Sequence, residues 1–273
     1  MSAHTYRHIV LERHGPVGWL ILDRPEVGNA WNAAMLDDLE AAWAELDADP
    51  DVRVIVNAAN GALFCTGADL TAIDDREVMR KHSRRTRDAE LKISSWQCDV
   101  WKPVIAAVNG TCAGGGLHLV ADADIVLASS NATFTDPHVS VGQAVAYEAI
   151  TLLRKMPAEA VMRMALVGRG ERITARRAYE LGMVSQVVDP PEQLRAEAQE
   201  LAEKVARNSP AAMRATKKAL WGAFEDDLTT AIRKGAKHLS SVWGHPDQAE
   251  GPKAFVEKRE PQWQPLVPDE PSS

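Results

Sequence analysis

Residues 102–119, which read KPVIAAVNGTCAGGGLHL, decide the fold of this chain. Val104–Val108 is an unbroken apolar run rich in β-branched residues, a pattern typical of a strand buried on both faces. The glycines Gly114, Gly115 and Gly116 follow it and precede an apolar segment suited to a helix. Such a cluster exposes backbone N–H groups, and without Cβ atoms it lets a ligand approach closely. The stretch therefore indicates either an anion or oxyanion site or a tight turn that only packs the helix on the sheet.

Two nucleotide-binding motifs are absent from this stretch. Its glycines do not have the Gly-x-Gly-x-x-Gly spacing of dinucleotide-binding folds. The Gly-Lys-Ser/Thr ending of a P-loop is missing as well. The glycine cluster therefore favours neither a dinucleotide nor a nucleoside triphosphate as ligand.

Composition narrows the class of protein. A chain of 273 residues is long enough for a large core. Its net charge of -7, with no basic stripe, argues against nucleic acid as a partner. The three cysteines, Cys65, Cys98 and Cys112, lack metal-binding or disulfide spacing. Residues 1–13 contain no apolar signal region, and the longest apolar run, 117–128, is interrupted by two aspartates. We expect a cytoplasmic protein with no metal and no membrane segment.

Strand and helix patterns alternate along the chain before it becomes wholly helical. The predicted strands lie at 17–22, 52–56, 104–108, 125–127, around Phe134 and at 184–188, and the predicted helices at 32–46, 74–96, 146–155, 158–167, 193–207, 210–221 and 227–241. This order predicts an α/β core over residues 1–190 and a helical region over 191–261. Residues 262–273 are Pro-rich and are predicted to be disordered.

A second small-residue loop, FCTGADL at 64–70, follows the predicted strand 52–56. In open α/β sheets, ligands bind beyond the carboxyl ends of the strands. The loop and the Gly114 cluster are therefore expected to face one crevice.

In their order and spacing, these motifs resemble those of the crotonase superfamily, the enoyl-CoA hydratase/isomerase family, over nearly the whole chain. The residues that carry the resemblance are DRP at 23–25 with Asn29 and Ala30, FCTGAD at 64–69, KPVIAAVNG at 102–110, GGG at 114–116, Asp122, Asp124 and Ile125, FTDP at 134–137, LVG at 166–168 with Ala178, GMV at 182–184 and FVEKR at 255–259. The resemblance implies a core of ββα turns stacked as a spiral. It also implies C-terminal helices that build homotrimers or homohexamers, and an acyl-CoA thioester substrate with no other cofactor.

By position in the family, the backbone N–H groups of Ala68 and Gly115 match the oxyanion hole. A thioester carbonyl becomes an enolate when chemistry occurs at its α or β carbon, and two fixed N–H donors stabilise that charge. Removing one such donor typically costs about 3–4 kcal/mol. The resemblance places the substrate along Pro25, Glu26, Val27, Ala30, Ala68, Asp69, Leu70, Gly114, Gly115, Phe255 and Lys258. Lys258 matches a lysine that family members hold near the CoA phosphates, in the same or a neighbouring subunit.

The chain departs from the family at both catalytic positions. Family hydratases carry two glutamates where this chain has His118 and His138, and residues 142–148 replace a Pro-Gly-x-Gly-Gly hairpin. Imidazole titrates near neutrality and acts as base or acid, so the two histidines are predicted to share the acid–base work, directly or through a relay by Tyr147 or Glu148. The competing interpretation is that they pack or form hydrogen bonds only. Tyr147 and Glu148 are interpreted as surface or packing residues.

Three functions compete at this point. The first is hydration of an α,β-unsaturated acyl-CoA in catabolism. The second is retro-Claisen hydrolysis of a β-diketone or cyclic β-keto-CoA, because His138 follows Pro137 as in crotonase-like enzymes that cleave carbon–carbon bonds. The third is a non-catalytic acyl-CoA binder. A metal site made by His118 and His138 lacks an apparent third ligand, and Asp69 and Asp136 are expected to form local hydrogen bonds.

Overall fold

The computed structural model describes residues 4–69, 84 and 90–266. Its strands are β1 (Ile9–His14), β2 (Val17–Leu22), β3 (Val54–Ala59), β4 (Val104–Val108), β5 (Thr111–Ala113), β6 (Ile125–Ser129), β7 (Thr133–Thr135), β8 (Ile173–Thr174) and β9 (Gln186–Val188). Its α-helices are α1 (Ala33–Ala48), α2 (His118–Ala121), α3 (Tyr147–Leu152), α4 (Ala158–Val167), α5 (Ala175–Glu180), α6 (Leu194–Ala206), α7 (Pro210–Gly222), α8 (Leu228–Ser241) and α9 (Pro246–Glu257).

The strands form two sheets. The larger has the order β1-β2-β3-β4-β6-β9 and is parallel except for β1, and the smaller has the order β5-β7-β8. Along β4, β5 and α2, the first strand joins the large sheet, the second joins the small sheet and a helix follows. Strands β6 and β7 repeat this pattern and lead into a 3-10 turn at His138–Val141. The expected ββα arrangement is confirmed.

Strand β4 lies at the centre of the core and is buried on both faces, as its apolar run predicts. Val104, Ala106 and Val108 belong to the hydrophobic cluster that also contains the apolar face of α1. Ile105 and Ala107 belong to a second cluster on the opposite face, where α6 packs. Because successive side chains of a strand alternate between faces, one strand contributes to both clusters.

Helix α1 shows how the predicted amphipathic pattern is realised. The side chain of Asn32 caps it by accepting a hydrogen bond from the N–H of Met35 at 3.0 Å. Its buried face carries Met35, Leu39, Trp43 and Leu46, spaced three and four residues apart. At the other end, the Lys102 ammonium donates to the carbonyl oxygens of Leu46 and Asp49, at 2.7 and 2.6 Å. Lys102 thus satisfies carbonyls that the helix end leaves unpaired.

Some predicted boundaries were wrong, for local reasons. Strand β3 begins and ends later than predicted. It ends later because Asn57 stays in the strand, where its side-chain amide donates to the carbonyl oxygen of Leu119 at 3.1 Å. Helix α3 stops at Leu152, and turns with Arg154 and Lys155 follow it up to Pro157. The predicted helix 74–96 lies mostly outside the described residues.

The described end of that predicted helix, 90–96, contains no helix. Residues 262–273 were predicted to be disordered. Of these, 267–273 lie outside the described part of the chain. Residues 262–266 are described and carry neither helix nor strand.

The C-terminal helices are tied to the amino ends of the central strands. Lys217 on α7 lies 2.8 Å from Asp124, which precedes β6, and donates to the carbonyl oxygen of Lys102 just before β4. The indole N–H of Trp221 donates to the same Asp124 carboxylate at 2.7 Å. Within the described residues, no helix has both the length and the hydropathy required to cross a bilayer.

Candidate active site

The site lies at the carboxyl ends of three neighbouring parallel segments, two of which are strands of the small sheet. Strands β5 and β7 are parallel, with Ala113 opposite Thr135. A parallel bridge between Cys65 and Cys112 adds a third segment beside β5. The residues that follow each segment therefore leave the sheet side by side. This register brings together Ala68, the Gly114 cluster and His138, although they are far apart in sequence.

Ala68 and Gly115 lie on two backbones in close contact. A bridge to Trp31 fixes the Ala68 strand: the Trp31 N–H donates to the Gly67 carbonyl and the Asp69 N–H to the Trp31 carbonyl, each at 2.9 Å. Neither bond uses the N–H of Ala68. Gly67 has a φ of +87°, and an ideal Cβ there would lie 2.8 Å from the backbone nitrogen of Gly115. Only glycine at 67 permits this approach.

The His138 ring lies against the glycine cluster. Gly114 has a φ of +52°, and an ideal Cβ on it would lie 3.6 Å from Cε1 of His138. The imidazole is thus next to the residue that precedes Gly115. This part of the site unites the predicted oxyanion donor and one of the two predicted histidines.

Asp136 orients His138. Its Oδ1 accepts hydrogen bonds from both Nδ1 of the ring, at 2.6 Å, and the backbone N–H of His138, at 3.1 Å. The carboxylate is fully buried, and its hydrogen bond is the main cause of a raised pKa of His138. With Nδ1 occupied by Asp136, Nε2 is the ring nitrogen left for a reactant. The expected local hydrogen bonding of Asp136 is confirmed, and its partner is the candidate base.

Gln97 holds His118 in one form. The amide oxygen of Gln97 accepts hydrogen bonds from the N–H groups of Ile93 and Ser94, at 3.0 and 3.2 Å. Its NH₂ group therefore faces Nδ1 of His118, 3.4 Å away. Since an amide NH₂ only donates, Nδ1 must accept, and the ring proton is placed on Nε2. In this arrangement the ring of the buried His118 is oriented by Gln97 and turns Nε2 toward Glu148.

Glu148 lies between the two imidazoles and not on the surface. Its Oε2 is 3.5 Å from Nε2 of His118, and its Oε1 is 3.7 Å from Nδ1 of His138. The residue is only 3 % exposed, and burial raises the pKa of its carboxyl to about 7. Burial also raises the pKa of neighbouring Asp122 to about 6. Sequence reasoning weighed Glu148 as a relay and favoured a surface or packing role; the signal for its burial was a carboxyl on the same helix face as Leu152, which is buried.

The structure also supplies the carboxylates that a metal site would need. Possible ligand atoms of Asp136, His138 and Glu148 lie within 4.8 Å of one another. The short bond between Asp136 and Nδ1 of His138 nevertheless requires a proton on that nitrogen, and a metal ion would have to displace it. The geometry fits an acid–base cluster better than a set of metal ligands.

The loop with the predicted substrate-binding residues 25–30 is bonded to the loop that contains Ala68. Pro25–Val27 forms a 3-10 turn, and the Arg24 guanidinium donates to the Ala30 carbonyl at 2.8 Å and to the Asp69 carboxylate at 2.7 Å. Asp69 therefore forms a long-range ion pair with Arg24. Glu26 and Val27 are exposed on this turn.

Buried Asn29 holds the same loop in shape, with a positive φ of 55°. Its amide oxygen accepts from the Arg24 N–H at 2.8 Å, and its NH₂ donates to the carbonyls of Asn60 and Leu63 at 2.9 Å. We expect Asn29→Ala to lower the free energy of unfolding by about 2–4 kcal/mol, because three partly buried backbone groups lose their partners and the buried amide is removed. Urea unfolding measures the change.

Asn208→Ala is the matched control, since its exposed amide makes only a local bond to the Val205 carbonyl. A loss for Asn29→Ala no larger than that of the control would contradict the role assigned to Asn29.

Two predicted substrate-binding residues lie elsewhere in the chain. Phe255 and Lys258 are exposed at the end of α9. Residues around this helix contact the loop between α6 and α7, where the Trp263 indole donates to the Arg207 carbonyl at 2.6 Å. Arg53, just before β3, donates to the carbonyl oxygen of Ala206 at the end of α6, at 3.4 Å. The other predicted residues follow the carboxyl ends of strands, so the fold separates the two groups; predicted Leu70 lies outside the described residues.

Comparisons with known proteins agree with this geometry. The profile of the enoyl-CoA hydratase/isomerase family matches residues 12–265. The chain is 35% identical over 252 residues to the mevalonyl-coenzyme A hydratase of Aspergillus fumigatus, covering 90% of each chain. It is 34% identical over 260 residues to the (E)-benzylidenesuccinyl-CoA hydratase of Thauera aromatica, covering 93% of this chain and 97% of the relative.

A solved structure extends the agreement to the fold. An enoyl-CoA hydratase/isomerase from Mycobacterium paratuberculosis superimposes with a TM-score of 0.86 at 36% identity, covering 95% of this chain and 99% of that one. The chain belongs to the enoyl-CoA hydratase/isomerase family of the crotonase superfamily. It is an acyl-CoA hydratase-type enzyme, and the family implies an acyl-CoA thioester as substrate.

Proposed function

We propose that this enzyme adds water across the double bond of an α,β-unsaturated acyl-CoA, using His118 and His138 in place of a glutamate pair. The N–H groups of Ala68 and Gly115 bind the thioester oxygen and stabilise the enolate. Nε2 of His138 takes a proton from water, and His118 takes part in protonating the α-carbon. The observation that carries the proposal is the Asp136–His138 hydrogen bond beside the Gly114 cluster.

The Asp136–His138 pair has the features of an activated base. A buried carboxylate on Nδ1 fixes the tautomer and stabilises the imidazolium that forms when Nε2 accepts a proton. His138 is the more exposed of the two histidines, with a side chain 21% exposed against 6% for His118. Water therefore has readier access to His138 than to His118.

Loss of the enoyl absorbance of crotonyl-CoA, and of longer and cyclic enoyl-CoA thioesters, tests the proposed hydration. We expect turnover of at least one member of the panel and a hydrated product that is 18 mass units heavier. Binding of acyl-CoA without turnover of any member would instead favour the non-catalytic binder.

The Asp136–His138 pair also favours retro-Claisen hydrolysis as a second candidate. In this reaction the same base directs water to a ketone carbon, after which a carbon–carbon bond breaks and the enolate leaves. Mass spectrometry of parallel reactions with an enoyl-CoA and with a cyclic β-keto-CoA distinguishes the two. A ring-opened acid from the β-keto-CoA supports this candidate, and hydration of the enoyl-CoA with the β-keto-CoA left unchanged rejects it.

We also propose that the chain assembles as a homotrimer or homohexamer. The C-terminal helices expose large apolar side chains, and those on α7, α8 and the turn between them are Leu220, Phe224, Leu228, Ile232 and Leu239. An apolar surface of this kind is typical of a subunit interface. Phe255 and Lys258 would then reach the site of a neighbouring subunit. Light scattering after gel filtration measures the assembly, and a monomeric mass would contradict it.

A further inference from the structure

The contact with Gln97 makes His118 poorly suited to supply a proton by itself. Gln97 occupies its Nδ1 as a donor, so the ring carries one proton, on Nε2. A neutral imidazole is a very weak acid, and a relay through the ring would need Nδ1 to receive a proton. Another group must therefore hold the proton that reaches the substrate.

We propose that Glu148 is the catalytic acid that delivers a proton to the substrate α-carbon, and that His118 is a positioning residue that holds its carboxyl. This inference rests on the proposed hydration reaction. Glu148 lies beside Nε2 of His118 and is almost fully buried. Its other oxygen faces His138, so the proposed acid and base are neighbours.

The proton count of the step balances. Nε2 of His138 takes a proton from water as the oxygen bonds to the β-carbon, and the double-bond electrons form the enolate. The O–H of Glu148 then gives its proton to the α-carbon and becomes a carboxylate. The reaction leaves an imidazolium on His138 and a carboxylate on Glu148, 3.7 Å apart. Release of the Nε2 proton of His138 to water and uptake of a proton from water by Glu148 restore both groups.

The groups around Glu148 favour a carboxyl that keeps its proton near neutral pH. The titratable groups that face or adjoin it are His118, His138, Asp136, Asp122 and Tyr147. Burial and two neighbouring carboxylates favour the protonated acid, whereas His138 favours the carboxylate. Because Glu148 and His138 interact, they titrate as a pair, and one proton shared between them gives the active form.

The test compares Glu148→Gln, Glu148→Asp and His118→Gln under conditions where the wild type hydrates an enoyl-CoA. Glu148→Gln keeps the shape but carries no acidic proton, so kcat should fall about 10²-fold or more while KM changes little. Wild-type kcat/KM should be bell-shaped in pH, and Glu148→Gln should lose the alkaline fall. Glu148→Asp should recover part of kcat and the alkaline fall.

His118→Gln separates positioning from catalysis. Its side-chain NH₂ still donates toward Glu148, so the variant should keep the bell-shaped profile with a smaller loss of kcat. Glu159→Gln, the same change at an exposed residue of α4, should behave as wild type. A loss in His118→Gln that equals or exceeds that in Glu148→Gln would overturn the assignment. So would activity that disappears after dialysis against a chelator and returns with zinc.

A ligand-free measurement tests the proton pair even if no enoyl-CoA is hydrated. In ¹⁵N NMR of the enzyme alone, the His138 ring should titrate at lower pH in Glu148→Gln than in wild type, because a neighbouring carboxylate is lost. An unchanged His138 titration would refute the coupling. Failure of hydration with this shift intact would reject the proposed reaction, not the pairing of Glu148 with His138.

Discussion

His138→Ala is expected to lower kcat about 10²–10⁴-fold, the range that a positioned acid or base contributes. Without the ring, no group in the cluster has a free nitrogen held for water by a buried carboxylate. KM should change little, because the main-chain donors that bind the thioester remain. Steady-state hydration kinetics measure both constants.

The pH dependence of kcat/KM tests the same role of His138 as the base. Only neutral imidazole accepts a proton, so kcat/KM should fall as pH drops through the pKa of His138. The Asp136 hydrogen bond raises that pKa above its ordinary value of about 6.5, so the fall should begin at higher pH than for a free histidine. Asp136→Asn removes the main cause and should move the acidic limb to lower pH.

His14→Ala is the control, since His14 is an exposed residue of β1. Its activity and pH profile should match those of the wild type. If His138→Ala kept full activity, or if the acidic limb stayed in place in Asp136→Asn, the imidazole would be a bystander and only the fold and family would remain.

Gly67→Ala is expected to lower kcat about 10²–10³-fold, as the loss of an oxyanion donor does. A Cβ at this position would lie 2.8 Å from the Gly115 nitrogen and 3.0 Å from the Ala113 carbonyl oxygen. Both are backbone atoms, so no side-chain rotation relieves the contact. The Ala68 and Gly115 N–H groups must then move apart.

The positive φ of Gly67 adds a separate cost, and Gly244→Ala controls for it. Gly244 has a φ of +80° with no atom within 4 Å of its Cβ position. Both variants should lose some stability, but only Gly67→Ala should lose activity. Thermal unfolding measures the first and hydration kinetics the second, and equal activity in the two would contradict the proposed oxyanion hole.

The sequence was sufficient for the parts of the fold that repeat a periodic pattern. The apolar run of β4 and the stripe on α1 predicted both elements and their buried faces. Strands as short as β5 and β8 give no such signal, because two or three residues carry no period. Asn57 was misread because its buried amide is satisfied by a carbonyl distant in sequence.

The candidate site was predictable in part. The family resemblance predicted Ala68, Gly115, His118 and His138, and the structure brings their segments together at one end of the small sheet. The resemblance did not identify Glu148, because pairing a buried carboxyl with two rings depends on how α3 packs. For the same reason, the tautomer that Gln97 imposes on His118 cannot be read from their order along the chain.

The register of β5 and β7 has a consequence for how this enzyme's chemistry can change. The groups proposed to grip the thioester are peptide amides, so they persist whatever side chains surround them. Of the groups proposed to handle protons, His118 and His138 follow the paired strands β5 and β7, and Glu148 lies on α3. Exchanging imidazole and carboxyl there therefore leaves the scaffold intact, and a few substitutions suffice to redirect an activated thioester toward a different product.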